Sequence, residues 1–309
     1  MSVASVKSPA TLTGPKGRRR WMESAMHAAL WLCAAASVFT TVGIVLILLV
    51  ESQQFFGKVS VIEFLTGTTW APHANPPRFG ILPLACGTFL VAAGAAVIAI
   101  PLGLGAAIYL SEYASPGVRD VLKPVLEILA GIPSVVFGYL AIVFVSPMVR
   151  EVFPQADIFN ALNASIVVAI MILPMIVSLS EDVLRSVPRT LREGAYALGA
   201  TKLDVTVGVV VPAALSGIMA SFLLAIARAV GETMAVALAA GKLPQLTLNP
   251  LESIQTMTAY IVETSKGDTP RGTLGYQTIF AVGLTLFLTT LALNVVAQWI
   301  LKHMREKYE

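Results

Sequence analysis

Arg185-Ser-Val-Pro-Arg189-Thr-Leu-Arg192-Glu193-Gly-Ala-Tyr-Ala-Leu-Gly199-Ala-Thr-Lys202-Leu-Asp204 is the stretch on which the fold turns. It is too charged to cross a bilayer, yet apolar runs long enough to cross flank it at 161–179 and 213–240. Arg189, Arg192 and Glu193, spaced with Ala195 and Ala197, predict a short helix. Gly199 fits the residue that ends it, and a second helix begins beyond. The expectation is a compact polar knob at one membrane face.

Working outward, four more apolar runs follow the same length rule, at 26–50, 80–110, 122–149 and 276–301. The 309 residues are 56% hydrophobic and only 13% charged, with a mean hydropathy of +0.78. That composition excludes an ordinary soluble domain. The expectation is an all-α membrane protein of six transmembrane helices: a tail at 1–24, a six-span domain at 25–309 with its core at 80–301, and the polar loop at 181–212. Lys16 and Arg18 to Arg20 precede the first run. Its apolar length of about 25 exceeds a signal peptide's usual 7 to 15, so it reads as an uncleaved helix. With six spans, one set of alternate segments carries about 14 Lys and Arg and the other about 6. Both termini and the polar loop are therefore expected in the cytoplasm, in a multi-pass membrane protein.

Several function classes lose support. Cys33 and Cys86 sit inside apolar runs, and His27, His73 and His303 are far apart, so neither a disulfide framework nor a metal site is expected. The net charge of +3 forms no basic stripe, so nucleic acid is not an expected partner; membrane lipid is. Pro83, Pro101, Pro133, Pro147 and Pro174 interrupt spans, either as tolerated kinks or as breaks that line a path. The segment 51–79, with Phe55, Phe56, Trp70 and a proline cluster, reads as an ordered loop.

Glu193-Gly194-Ala195, then Gly199, then Val209 and Val211-Pro212 resembles the EAA motif of bacterial ABC importer permeases, with Gly194 in place of the first Ala and valines in place of Ile and Leu. The resemblance implies a type I importer permease fold in which this loop is a coupling helix docking on a separate ATPase. Glu193, Gly194, Ala195 and Gly199 would form that contact, the small residues allowing close approach and Glu193 with its arginines making rim ion pairs. Gly194 to Thr201 lacks the Lys of a phosphate loop, so this chain holds no nucleotide itself.

Arg228 and Glu232 lie within the fifth run, four apart and expected on one helix face. A central Arg costs roughly 2.5–3.5 kcal/mol to insert, so the pair should face protein or water. Arg228 offers a fork matched to an oxyanion and Glu232 would temper it, unless the two form a purely structural pair. Ser134, after Pro133, either donates to an anion or satisfies a carbonyl freed by the kink. Lys123 and Glu127 are expected to pair.

The phrases at 101–113, 129–138, 194–202 and Ala227-Arg-Ala-Val-Gly-Glu-Thr-Met-Ala-Val236 together resemble the phosphate-specific transport permeases, PstC-type. The resemblance implies a non-enzymatic subunit of a phosphate importer. Its implied partners are a PstA-like second permease, a PstB-like ATPase dimer carrying ATP and Mg, and an external PstS-like phosphate-binding protein. A sulfate or molybdate permease, or a proton-coupled carrier using Glu232, stays open as an alternative.

Overall fold

The computed structural model describes residues 16–267, 269–270 and 272–304. The chain divides into two units, 1–50 and 51–309. Residues 1–15 of the expected tail lie outside the described residues, but helix α1 (Lys16–Phe56) already begins at Lys16, so the first helix starts before the apolar run itself. The second unit then runs through α2 (Val61–Thr66), a two-stranded antiparallel ribbon of β1 (Trp70–Ala71) and β2 (Arg78–Phe79), and α3 (Leu82–Ile108). After α3 come a π turn (Tyr109–Tyr113), α4 (Pro116–Ala130), α5 (Ser134–Leu140), a π turn (Ala141–Val145) and α6 (Ser146–Val152). The long α7 (Ala161–Ser186) leads to α8 (Arg189–Ala197), α9 (Lys202–Val205), a third π turn (Thr206–Val210) and α10 (Val211–Val230). Helices α11 (Met234–Ala239), α12 (Met257–Lys266) and α13 (Leu274–Met304) complete the chain.

Six helices among the described residues are long and apolar enough to cross a membrane: 21–56, 82–113, 134–152, 161–186, 202–230 and 274–302. The number agrees with expectation; two of the spans do not run as expected. The predicted third span, 122–149, is two pieces. Asp120, Lys123 and Glu127 make α4 amphipathic and none of its residues is buried. Pro133 then has no N–H to continue the ladder, and the span proper starts at Ser134. The predicted fifth span, 213–240, starts earlier, at Lys202, and stops at Val230. Gly231-Glu232-Thr233 is not helical, and the Thr233 hydroxyl donates to the Gly231 carbonyl at 3.1 Å. The other prolines fit the helices: Pro101, Pro147 and Pro174 lie inside the continuous runs 82–113, 134–152 and 161–186, and Pro83 sits in the first turn of α3, where a missing N–H costs nothing.

Helices α3, α7 and α10 pack around a core of small and branched side chains, including Ala92, Ala95, Ala99, Ala164, Val168, Ile172 and Ala225. Small residues permit this closeness: a Cβ on Gly94 would stand 2.5 Å from the Ser165 Oγ. The expected ordered loop is an aromatic cluster in which Trp70 meets Phe64, Phe79 and Tyr260 edge-on, with ring centroids 4.9–6.3 Å apart.

Gly138 of α5 lies against α11, where a Cβ would come within 2.9 Å of Leu238 Cδ1 and 3.1 Å of Ala235 Cα. Gly138→Leu should therefore cost about 1–3 kcal/mol by overpacking. Gly105→Leu, at a glycine with nothing within 4 Å, should cost far less. Thermal unfolding of the purified protein checks both, and equal midpoints would contradict the seam.

Candidate functional site

The two breaks lie at matching ends of a pair of parallel half-helices. Helices α5 and α11 pack together, and both run toward the turn at 157–160. There the Ser146 hydroxyl donates to the Ile158 carbonyl at 2.6 Å, and the Asn160 N–H donates to the Ala239 carbonyl at 3.1 Å. Gly131-Ile132-Pro133 and Gly231-Glu232-Thr233 thus open at the opposite end of the same seam. The Glu232 carbonyl, released from the helical ladder, accepts from Thr258 Oγ1 at 2.7 Å. Thr258 sits in the first turn of α12, whose N-cap Thr256 accepts the Ala259 N–H. Nothing in the sequence pointed to Thr256 and Thr258; a Thr-x-Thr at a helix start is the one signal that marks them.

Arg228 and Glu232 do not share a helix face, contrary to expectation. Arg228 is in the last turn of α10, while Glu232 lies beyond the helix end, and no ion pair joins them among the described residues. The reason is Gly231, which ends the helix between them. Arg228 is exposed and Glu232 half-buried. Neither side chain has a polar partner among the described residues, and Ser134, at the first position of α5, makes no hydroxyl hydrogen bond there either. The kink-satisfying role for Ser134 is therefore not realised. Three polar side chains at or beside two breaks are left with their hydrogen-bonding capacity free.

At the other end of the spans stands the expected knob. Helix α8 stops at Ala197, and Gly199 follows at φ +83°, a left-handed conformation that disfavours any other residue. The second helix is only the four residues of α9, which run through the π turn straight into α10. Its start carries a capping box: Thr201 Oγ1 accepts the Asp204 N–H at 3.3 Å, and Asp204 Oδ2 accepts the Thr201 N–H at 3.0 Å. Glu193, Gly194 and Gly199 face open space, but Ala195 does not: it packs inward with Ala200 on a cluster of Leu110, Leu184, Val187, Val205 and Val210. Leu198, 90% exposed, and Leu203, 63% exposed, flank the knob and were not singled out from sequence.

One ion pair fixes this knob to the π turn after α3, and others join α4 to α7. Arg192 makes no pair with Glu193; it donates to the Leu184 carbonyl at 2.7 Å and meets Glu112 Oε1 at 3.2 Å. Glu181, 1% exposed, draws Arg119 and Lys123 of α4, each at 2.9 Å, and Arg185 at 3.5 Å. The Arg119 contact is ionic without hydrogen-bond alignment, since Arg119 Nε and Glu181 Oε1 have no aligned partner. Lys123 pairs with Glu181 and Asp182, not with Glu127 as its spacing suggested. Hydrogen bonds to Asp182 and Glu181 hold the Lys123 ammonium above its usual range, outweighing burial. A raised folded value means this stabilisation is complete below about 10.5 and is lost only as pH rises through the raised value. Glu181→Ala should cost about 2–3 kcal/mol, at or below the low end for a buried pair because the cations reach water. Its midpoint of thermal unfolding should fall at neutral pH; an unchanged midpoint would show that α4 is held by apolar contact alone.

Relatives of known name are similar in sequence to this chain over most of its length. The chain is 36% identical over 270 residues to the probable ABC transporter permease protein YqgH of Bacillus subtilis, covering 87% of both chains. It is 31% identical over 303 residues to the phosphate transport system permease protein PstC of Mesorhizobium japonicum, covering 92% of this chain and 91% of that one. Among solved structures, a bacterial ABC transporter involved in the import of the acidic polysaccharide alginate superposes with a TM-score of 0.65 at 13% identity, over 93% of this chain and 100% of that chain, a likeness of fold alone. Residues 99–308 match the family model described as binding-protein-dependent transport system inner membrane component. With its six apolar helices and its EAA-type knob, the chain belongs to that family of ABC importer permeases.

Proposed function

We propose that this chain is one of two permease subunits of an ATP-driven importer of inorganic phosphate. The observation that carries the reading is the α8 knob, with Gly194 and Gly199 open to the outside of the chain, on a protein similar over nine-tenths of its length to one named as a phosphate permease. Helix α8 is the dock for a cytoplasmic PstB-like ATPase dimer, which holds ATP and Mg. Leu198 and Leu203 supply apolar contact there, and Glu193 sets orientation at the rim. The α8 end faces the cytoplasm, as the Lys and Arg distribution favours, with both termini on that side. The 157–160 end faces a PstS-like binding protein. A PstA-like second permease covers the seam side of the spans.

The passage runs along the two breaks. Arg228 presents a permanent charge to the oxyanion, Ser134 a hydroxyl donor, and Glu232 a carboxylate that keeps binding loose enough for release. This chain performs no covalent chemistry. ATP-dependent uptake of labelled phosphate into vesicles holding the whole complex tests the assignment. Uptake resistant to excess sulfate and molybdate is expected; block by either would move the cargo, and indifference to ATP would overturn the importer reading.

Two substitutions separate the parts. Arg228→Ala should lower phosphate uptake roughly tenfold or more, the loss of a charge-assisted contact, with the ATPase still bound. Gly194→Trp meets nothing within this chain, so it should leave expression intact while abolishing ATPase co-purification. Normal uptake in the first or normal assembly in the second would contradict the respective role. Gly194 is the better probe than Gly199, where any side chain is strained by the positive φ.

A further inference from the structure

Between the start of α4 and the start of α8 lies a cleft of about 410 Å³ lined by Arg119, Arg185, Arg189 and Arg192, with Asp120 as the one carboxylate among its lining residues. Arg119 and Arg185 share Glu181, and Arg192 holds Glu112. Arg189 is exposed and has no ion pair or side-chain hydrogen bond among the described residues. Helices α4 and α8, of 15 and 9 residues, both begin at this cleft, and neither N-cap side chain satisfies the first N–H groups. The cleft therefore presents one uncommitted guanidinium, three more already paired with Glu181 or Glu112, and two positive helix ends, with Asp120 as its one lining carboxylate. None of this is explained by the passage or by the docking face of α8.

We propose that this cleft is a binding site for a phosphate group. Planar guanidinium forks converging from three elements match a compact anion with several oxygens, and the cleft is large enough to admit the group with a substituent attached. Two sources carry that chemistry on this side of the membrane: free inorganic phosphate and the headgroup of an acidic phospholipid. Helix α4 turns Val118, Val121, Leu122, Val125 and Ile128 outward, which places the cleft at the edge of an amphipathic helix. Bound at both α4 and α8, the anion would brace the coupling helix against α4. That consequence rests on the function proposed above; the binding itself does not.

The test uses the complete complex of both permease chains and the ATPase, without binding protein or ATP, in nanodiscs. In phosphatidylcholine discs, ³²P inorganic phosphate is titrated; in discs containing phosphatidylglycerol, lipid retained after extraction is counted by native mass spectrometry. Saturable phosphate binding identifies the free anion, and retention of phosphatidylglycerol without phosphate binding identifies the headgroup. In either arm Arg189→Gln should weaken binding about tenfold, and Asp120→Asn should strengthen it severalfold, a gain that misfolding cannot imitate. Phosphate held in the passage is recognised because Arg228→Ala removes it. The proposal is overturned if neither probe binds, or if Arg189→Gln and Asp120→Asn leave binding unchanged. Because no transport is measured, a failed cargo assignment leaves this result standing.

Discussion

Backbone that leaves the helical ladder must find partners in protein or water, and the pair of breaks at 131–133 and 231–233, at the ends of two apolar spans, organises this molecule around that requirement. Thr258 reaches the freed Glu232 carbonyl only because α12 starts beside it. Helix α12 is held there by a return segment whose Ile254 N–H donates to the Ala240 carbonyl at 2.9 Å and whose Ser253 N–H donates to Asp157 Oδ2 at 2.8 Å. Thr88 of α3 closes the same region by accepting the Met257 N–H at 3.0 Å. Much of the apparatus at that end serves to hold an opening in an otherwise helical wall.

The opposite end is built from charge. The chain from α9 through α10 rises about 1.5 Å per residue, so residues 202–230 reach about 43 Å from the knob to the second break. On the proposed function this is the lever: the capping box fixes its start, Ser180 and Ser221 pin it to α7 at 2.7 Å, and Gly231 ends it at the passage. Glu181 and its cations join α4 to α7, and Arg192 joins the knob to α7 through the Leu184 carbonyl. The long-range link is thus a rigid element with packed neighbours, and it needs no chain of soft contacts.

The number of spans, the knob and its glycine stop were legible in the sequence because each depends on local composition: apolar length, charge, and the residue type that tolerates positive φ. The broken third and fifth spans were not, because hydropathy averages over a window and cannot register where Pro133 or Gly231 ends a ladder. The expected Arg228–Glu232 face failed for the same reason, since four residues share a face only if the helix is continuous. The Lys123–Glu127 pair gave way to Glu181, a partner 58 residues away, because a buried carboxylate outbids an exposed one for a nearby cation. Thr256, Thr258, Leu198 and Leu203 acquire meaning only from what they meet or fail to meet in three dimensions.

On the proposed function, the two breaks line a watery passage for an anion. This is tested most directly by placing single cysteines at positions 134, 228 and 232 in a chain whose Cys33 and Cys86 have been replaced, and labelling the assembled complex with a membrane-impermeant thiol reagent. Labelling is expected at all three positions, slowed by phosphate at 134 and 232, where Arg228 is retained, and unaffected by an uncharged solute of similar size. Resistance to the reagent at any of the three, or an unchanged rate with phosphate at 134 and 232, would contradict it.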